Sequence, residues 1–161
     1  MPDITIAAHD GGSFGAYLAR PESGSGAGVV VIQEIFGVNQ VMRELCDDLA
    51  ARGYIAVCPD LFWRQEPGIQ LTDKSQEEWD QAFKFMAGFD HQTGVGDLAA
   101  TLAHARTIEG CTGKVGAVGY CLGGALAFAM ACLTDSDASV GYYPVQIEDQ
   151  MSPAENIKKP L

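Results

Sequence analysis

The segment Gly119-Tyr120-Cys121-Leu122-Gly123-Gly124 constrains this chain more than any other. It follows the Val-rich run Val115-Gly116-Ala117-Val118, short enough for a buried strand. It precedes Ala125-Leu126-Ala127-Phe128-Ala129-Met130, built mostly from good helix formers. A reactive side chain on so abrupt a strand-to-helix turn is a nucleophile elbow, here with Cys where Ser is usual. The glycines have a mechanical reason. The turn forces unusual backbone angles and brings helix and strand too close for larger side chains. The thiol would then stand at a helix N-terminus, whose free N–H groups and dipole favour a thiolate. The plainer alternative is a buried structural cysteine beside a tight glycine turn.

With 161 residues, 47% of them hydrophobic, the chain can bury one modest core and is globular rather than disordered. The formal net charge of −11 excludes nucleic acid and anionic membrane as expected partners, since both need a basic face. An anionic small substrate stays compatible, because one local Arg or Lys outweighs a distant field. No basic-then-apolar leader follows Met1, and the apolar run after Cys121 is too short to span a bilayer. The five cysteines are odd in number and widely spaced, with no C-x-x-C, so neither a zinc site nor a disulfide framework is expected. A reducing cytoplasm fits that usage. Four of the five, Cys46, Cys58, Cys111 and Cys132, are expected to be small buried hydrophobes. A monomer is expected.

Strands and helices alternate along the sequence. Ile4 to Ala8 and Phe14 to Leu18 flank the turn signal Asp10-Gly11-Gly12 and read as a hairpin. Pro21 to Gly28 reads as a surface loop, and Val29 to Ile32 as a strand covered on both faces. Asn39 caps a helix with Val41, Leu45 and Leu49 as its apolar stripe, and Gly53 closes it. Tyr54 to Cys58 is the next strand, followed by a loop from Pro59 to Asp73. Ser75-x-x-Glu78 is a capping box for a helix whose apolar face is Trp79, Ala82, Phe83 and Met86. Asp97 is expected to open another helix, with Leu98, Leu102, Ala105 and Ile108 on one face. Lys114 to Val118 and Ser139 to Tyr143 complete the strands. The pattern predicts a single domain of right-handed βαβ units with a mostly parallel sheet. The final residues, Lys159-Pro160-Leu161, read as the beginning of a further strand, so the sequence reads as an incomplete domain.

A Cys nucleophile needs a base to take its proton and an acid to orient that base. In elbow enzymes both follow the nucleophile in the chain. No His follows Cys121: His9, His91 and His104 all precede it and each reads as a solvated surface residue. The oxyanion hole is better supported. Its first donor is the N–H of Leu122. Its second is expected from the loop after an early strand, where Gln33-Glu34-Ile35-Phe36-Gly37 puts Ile35 N–H forward.

These segments together carry a resemblance. Gln33-Glu34-Ile35-Phe36-Gly37-Val38-Asn39, Ala56-Val57-Cys58-Pro59-Asp60-Leu61, the elbow itself and Gly141-Tyr142-Tyr143 closely resemble the dienelactone hydrolases, in matching order along essentially the whole chain. The resemblance implies an α/β-hydrolase-like three-layer sandwich and hydrolysis of an ester or lactone through an acyl-enzyme. It implies Cys121 as nucleophile and Glu34 as the group that tunes its thiol. The family's Asp and His would lie downstream of the strand beginning near Pro160. Of its carboxylate-holding Arg residues, one falls at Trp79 here and another would follow the downstream His; the neighbouring Tyr falls at Phe83. With Tyr142, these become the expected substrate-binding residues, and they suit a less polar ester or lactone. No metal or organic cofactor is implied. Two other readings stay open: a non-catalytic chain that keeps the fold, and a thiol redox protein built on Cys121, for which the spacing shows no resolving cysteine though Cys58 could approach in space.

Overall fold

A computed structural model describes residues 4–150 and 152–161. One mixed sheet of six strands has the order β1-β2-β4-β3-β5-β6. β1 (Ile4–Ala7) and β2 (Ser13–Ala19) form the expected hairpin, and β2 pairs antiparallel with β4 (Ile55–Pro59). β3 (Gly26–Ile32), β4, β5 (Cys111–Tyr120) and β6 (Ser139–Tyr142) run parallel. Alternate residues of β3 show why the run is apolar throughout. Val30 and Ile32 join the larger core, while Val31 joins the smaller one on the other face. The larger core lies under α2 (Gln76–Ala87), α3 (His91–Thr107) and α4 (Leu122–Leu133); the smaller lies under α1 (Gln40–Ala51). Helices on both faces of a parallel sheet make the three-layer α/β sandwich that the sequence predicts. Two short 3₁₀ turns, Ile147–Gln150 and Ser152–Asn156, follow β6.

Several boundaries differ from the sequence reading. β3 starts at Gly26 rather than Val29, because glycines of low strand propensity still pair with β5, at Cys111 and Val115, around a bulge. In α1 the buried stripe is Met42, Cys46 and Ala50, with Val41 54% exposed. The two stripes are adjacent and both apolar, so periodicity alone cannot choose between them. In α2, Ala82 and Phe85 are buried and Phe83 is exposed. Asp97 does not open α3. Asp90 does, accepting the Thr93 N–H at 2.7 Å, and Asp97 is wholly buried in mid-helix. Gly94 and Gly96 disguised that first turn as a loop; a Cβ at Gly94 would strike the Phe89 ring. Cys46, Cys58 and Cys132 are buried as expected, but Cys111 is only half-buried.

The entry to β6 is electrostatically fixed. The Asp137 carboxylate accepts the Val115 N–H at 3.0 Å and lies 3.1 Å from Lys114, 3.5 Å from Lys159 and 3.6 Å from Arg106. The Ser139 N–H donates to Pro160, so the chain returns to the outer side of β6. The backbone hydrogen bond from Val115 and the lysines hold the Asp137 pKa down at about 2. A depressed carboxylate pKa stabilises the fold above its unfolded value, and that contribution is lost as pH falls from about 4 through 2. With solvent screening allowed for, it amounts to about 1 kcal/mol. Asp137→Asn should remove it, flattening the acid limb of stability measured by urea unfolding between pH 5 and pH 2. An unaltered acid limb in that variant would mean that other carboxylates control acid unfolding.

Candidate active site

β5 ends at Tyr120 and α4 begins at Leu122, so Cys121 alone makes the turn. Its backbone sits at φ +55° and ψ −114°, a conformation that costs a non-glycine residue about 1–3 kcal/mol. The surroundings hold it there. The Cys121 N–H donates to Tyr142, while its carbonyl accepts from Gly124 at 3.0 Å and Val145 at 3.3 Å. The flanking glycines let backbones touch. A Cβ at Gly119 would collide with the Gly123 carbonyl, and one at Gly123 with the carbonyls of Ile32 and Gln33. The second collision also shows that α4 starts directly against the end of β3.

That contact brings the β3 loop to the elbow. Gln33, wholly buried, anchors the loop: its Oε1 accepts the Leu61 N–H at 3.0 Å. Asn39 accepts from Met42 and donates to the Leu71 carbonyl, while Leu71 N–H donates to Phe36. Gly37, at φ +77°, bridges Gln70 in so close an approach that a Cβ would strike Ile69. Glu34 is half-buried within this anchored loop, with Ile35 buried beside it. Among the described residues, no backbone acceptor takes the Ile35 N–H.

The half-buried Cys121 thiol is held above its ordinary pKa. Burial is the main cause, and the Glu34 carboxylate adds to it; a hydrogen bond from Leu122 N–H opposes both. The helix N-terminus therefore does not produce a resting thiolate, contrary to the expectation from its dipole, because one donor does not offset burial and an adjacent negative charge. The Cys58 thiol has Cys46 as its neighbour, whereas Leu122 and Glu34 are the groups that act on the Cys121 thiol.

Tyr143 is the residue that sequence reasoning missed. Its hydroxyl donates to Glu34 Oε1 at 3.2 Å, and its backbone also has positive φ, at +36°. Burial, the Glu34 charge and this hydrogen bond raise the Tyr143 phenol to about 12. With 64% of the residue exposed, the Glu34 contributions are those the geometry supports. Tyr142, by contrast, stacks on Tyr120 with centroids 5.2 Å apart. Trp79 packs edge-on against Phe36 at 4.9 Å and donates its Nε1–H to Asp73; Phe83 leans on Trp79 at 5.6 Å. The aromatic pair on α2 thus flanks the loop carrying Glu34 and Ile35. Glu34→Gln should lower both the Cys121 thiol and the Tyr143 phenol pKa, because it removes one negative charge that faces both. Thiolate and tyrosinate absorbance against pH measure the two shifts. Unchanged curves would show that Glu34 faces neither group.

The histidines are placed elsewhere, and two are not freely solvated. His9 lies 3.7 Å from the buried Asp97 carboxylate, and His91 packs edge-on against Phe89 with a buried Nδ1. His104 is half-buried on α3. Among the described residues, no hydrogen bond or ion pair joins a histidine to Cys121 or Glu34. His9, Asp10 and Asp97 offer ligand atoms within 4.8 Å of one another, but the Arg64 guanidinium pairs with both carboxylates and supplies the positive charge a metal would bring. No helix is long and apolar enough to cross a membrane among the described residues.

Comparison with known proteins places the whole chain in one family. Residues 14–161 match the model of the dienelactone hydrolase family. A relative from Azospirillum brasilense is 53% identical over 163 residues, covering all of this chain and 70% of its own length. The carboxymethylenebutenolidase of Pseudomonas putida is 46% identical over 157 residues, covering 98% of this chain and 66% of its own length. Among solved structures, a dienelactone hydrolase-like promiscuous phosphotriesterase from metagenomic libraries superposes with a TM-score of 0.75 at 23% identity, over 97% of this chain and 64% of the other; it speaks for the fold alone. The chain therefore spans about two thirds of the length of these relatives. An elbow bearing cysteine, a stitched β3 loop facing it and a match along nearly the whole sequence lead to one statement: this chain belongs to the dienelactone hydrolase family.

Proposed function

We propose that this chain carries the nucleophile and oxyanion hole of a hydrolase acting on small carboxylic esters or lactones. The observation that carries the reading is Cys121 at positive φ between β5 and α4, with Leu122 N–H next in the chain at the helix start and Glu34 acting on the thiol. Cys121 Sγ attacks the carbonyl carbon, forming the C–S bond, as the thiol proton leaves to a nearby base. The carbonyl π electrons move to oxygen, and Leu122 and Ile35 N–H groups stabilise the resulting oxyanion. Collapse of this intermediate breaks the C–O bond, the alcohol leaves with a proton, and a thioester remains. Water then hydrolyses the thioester to acid and free thiol.

The raised thiol pKa means that the resting nucleophile is protonated, so Glu34, the carboxylate that acts on it, is the group that accepts or steers its proton when substrate enters. The Asp and His that the family resemblance calls for would come from the remaining third of the relatives' length, against the outer side of β6, where Val140 and Tyr142 are exposed. Trp79 and Phe83 give the acyl side an aromatic wall, which favours an apolar acid over a second carboxylate.

Limiting iodoacetamide followed by peptide mass mapping tests the nucleophile. The raised Cys121 thiol pKa removes any lead over the equally half-buried Cys111, so only the buried Cys46, Cys58 and Cys132 are expected to label behind Cys121. An activated aryl ester should then acylate the same residue. Preferential modification of Cys111 by both reagents would remove Cys121 from the mechanism.

A further inference from the structure

A second concavity lies apart from the elbow. It encloses about 330 Å³ between β2, the start of α1 and the loop before α2. That is at the small end of ligand sites, which run from about 300 to 1,000 Å³. Tyr17, Val38, Ile69 and Gln70 form much of its wall, with Arg43 and Asp60 as its charged residues. None of the elbow residues, and neither Glu34 nor Ile35, lines it.

The two charges differ in how they are satisfied. Asp60 Oδ1 accepts the Phe62 N–H at 3.1 Å, and Oδ2 accepts the Gly68 N–H at 2.7 Å. Both carboxylate oxygens are therefore engaged by backbone N–H groups, one of them, Gly68, in the cavity wall. Arg43 is held by its stem and Nε: Nε–H donates to the Val38 carbonyl at 3.3 Å, and the guanidinium stands 5.4 Å above the Tyr17 ring. No carboxylate among the described residues lies within ion-pair distance of it. In a chain of net charge −11, a half-buried guanidinium without a counterion is an unusual arrangement. Its remaining N–H fork is oriented by stacking, and a planar carboxylate matches such a fork.

We propose that this cavity is a binding site for a small monocarboxylate with an apolar body of about one ring. Arg43 takes the carboxylate, and Val38, Ile69 and the Tyr17 edge cover the body. The site is independent of the elbow. Its far wall nevertheless touches the loop that holds Ile35, through the Gly37–Gln70 bridge and the hydrogen bond from Leu71 N–H to Phe36. Carboxylic acids are also what the proposed reaction releases, so a product acid belongs to the ligand class of this site. The binding proposal itself does not depend on turnover.

Calorimetric titration with benzoate, against the uncharged isostere benzamide, tests it on chain whose Cys121 has first been alkylated with iodoacetamide. Benzoate is expected to bind one to one, and Arg43→Gln to weaken it by about ten- to a hundredfold, the loss of a charged hydrogen-bonded pair. Benzamide should bind weakly to both forms. A photoreactive diazirine derivative of benzoate should cross-link to the peptides containing residues 38–43 or 67–70, a readout that needs no variant to fold. The proposal is overturned if benzoate does not bind, if it binds no better than benzamide, if Arg43→Gln leaves its affinity unchanged, or if the cross-links map to residues 33–36 or 119–124. Because Cys121 is already blocked, failure of the hydrolase reading would not alter these results.

Discussion

Mixed with an activated aryl ester, this 161-residue chain is expected to release at most one equivalent of phenol and then stop, with the acyl group trapped on Cys121. The two halves of the reaction make different demands. Acylation of a good leaving group needs a positioned thiol and an oxyanion hole, and these alone sustain about 10³–10⁴-fold over water in enzymes stripped of their triads. Deacylation needs a base to activate water. All three histidines precede the elbow in sequence, and none is hydrogen-bonded or ion-paired with Cys121 or Glu34 among the described residues. Glu34, which accepts the Tyr143 hydroxyl at Oε1, is spent on the thiol proton in the acylation step and is not a fresh base for water. Extension with the corresponding C-terminal segment of a curated relative should restore turnover, raising the steady-state rate by a factor on the order of 10² or more, the usual contribution of a positioned base. Rapid-mixing absorbance shows the burst, and intact mass shows the thioester. Sustained turnover by the 161-residue chain, abolished by Cys121→Ala, would mean that His9, His91 or His104 reaches the elbow in solution and that the assignment of the base is wrong.

What the sequence disclosed, and what it withheld, follows the range of the interactions. The elbow was legible because its glycines and cysteine act within six residues. The Asn39 and Ser75 caps were legible for the same reason: each bonds an N–H three residues on. Even so, the capping box is only half as drawn, since Glu78 turns back to Thr72 and the Ser75 hydroxyl rather than to the Ser75 N–H. Features set by distant partners were hidden. Tyr143 meets Glu34 across 109 positions, and nothing in the local sequence separates it from Tyr142. The helix stripes were displaced by a residue or two, because adjacent apolar columns give the same period and only the sheet beneath decides which is central. The upward shift of the thiol pKa is hidden for a related reason. A helix N-terminus can be read from sequence, whereas the burial that outweighs it cannot.

The same distinction makes Arg64 the residue whose loss should cost the fold most among the charged side chains. Asp97 looked like a helix cap; the structure buries it to 1% exposure within α3. Its Oδ2 accepts from Trp63 Nε1–H at 2.9 Å and from Arg64, while Oδ1 has no hydrogen-bond partner among the described residues. Arg64 also reaches Asp10 and lies 4.2 Å over the Trp63 ring, so one guanidinium ties the hairpin, the loop after β4 and α3 together. Removing the guanidinium leaves a buried carboxylate with the Trp63 N–H as its hydrogen-bond donor and the half-exposed His9, 3.7 Å away, as a weak substitute for the lost charge. Breaking such a pair costs about 3–5 kcal/mol, and the 30% exposure of Arg64 places the expected loss near the lower end. Arg64→Ala should therefore lower stability by about 3 kcal/mol, read from the urea midpoint at constant m-value. Replacing both partners, Arg64→Met with Asp97→Leu, should recover most of that loss, since the larger part of it is the stranded charge rather than the net worth of the pair. A loss below about 1 kcal/mol for Arg64→Ala would put the pair among exposed salt bridges and would mean that water reaches Asp97. A double variant no more stable than the single one would instead assign the cost to lost packing over Trp63.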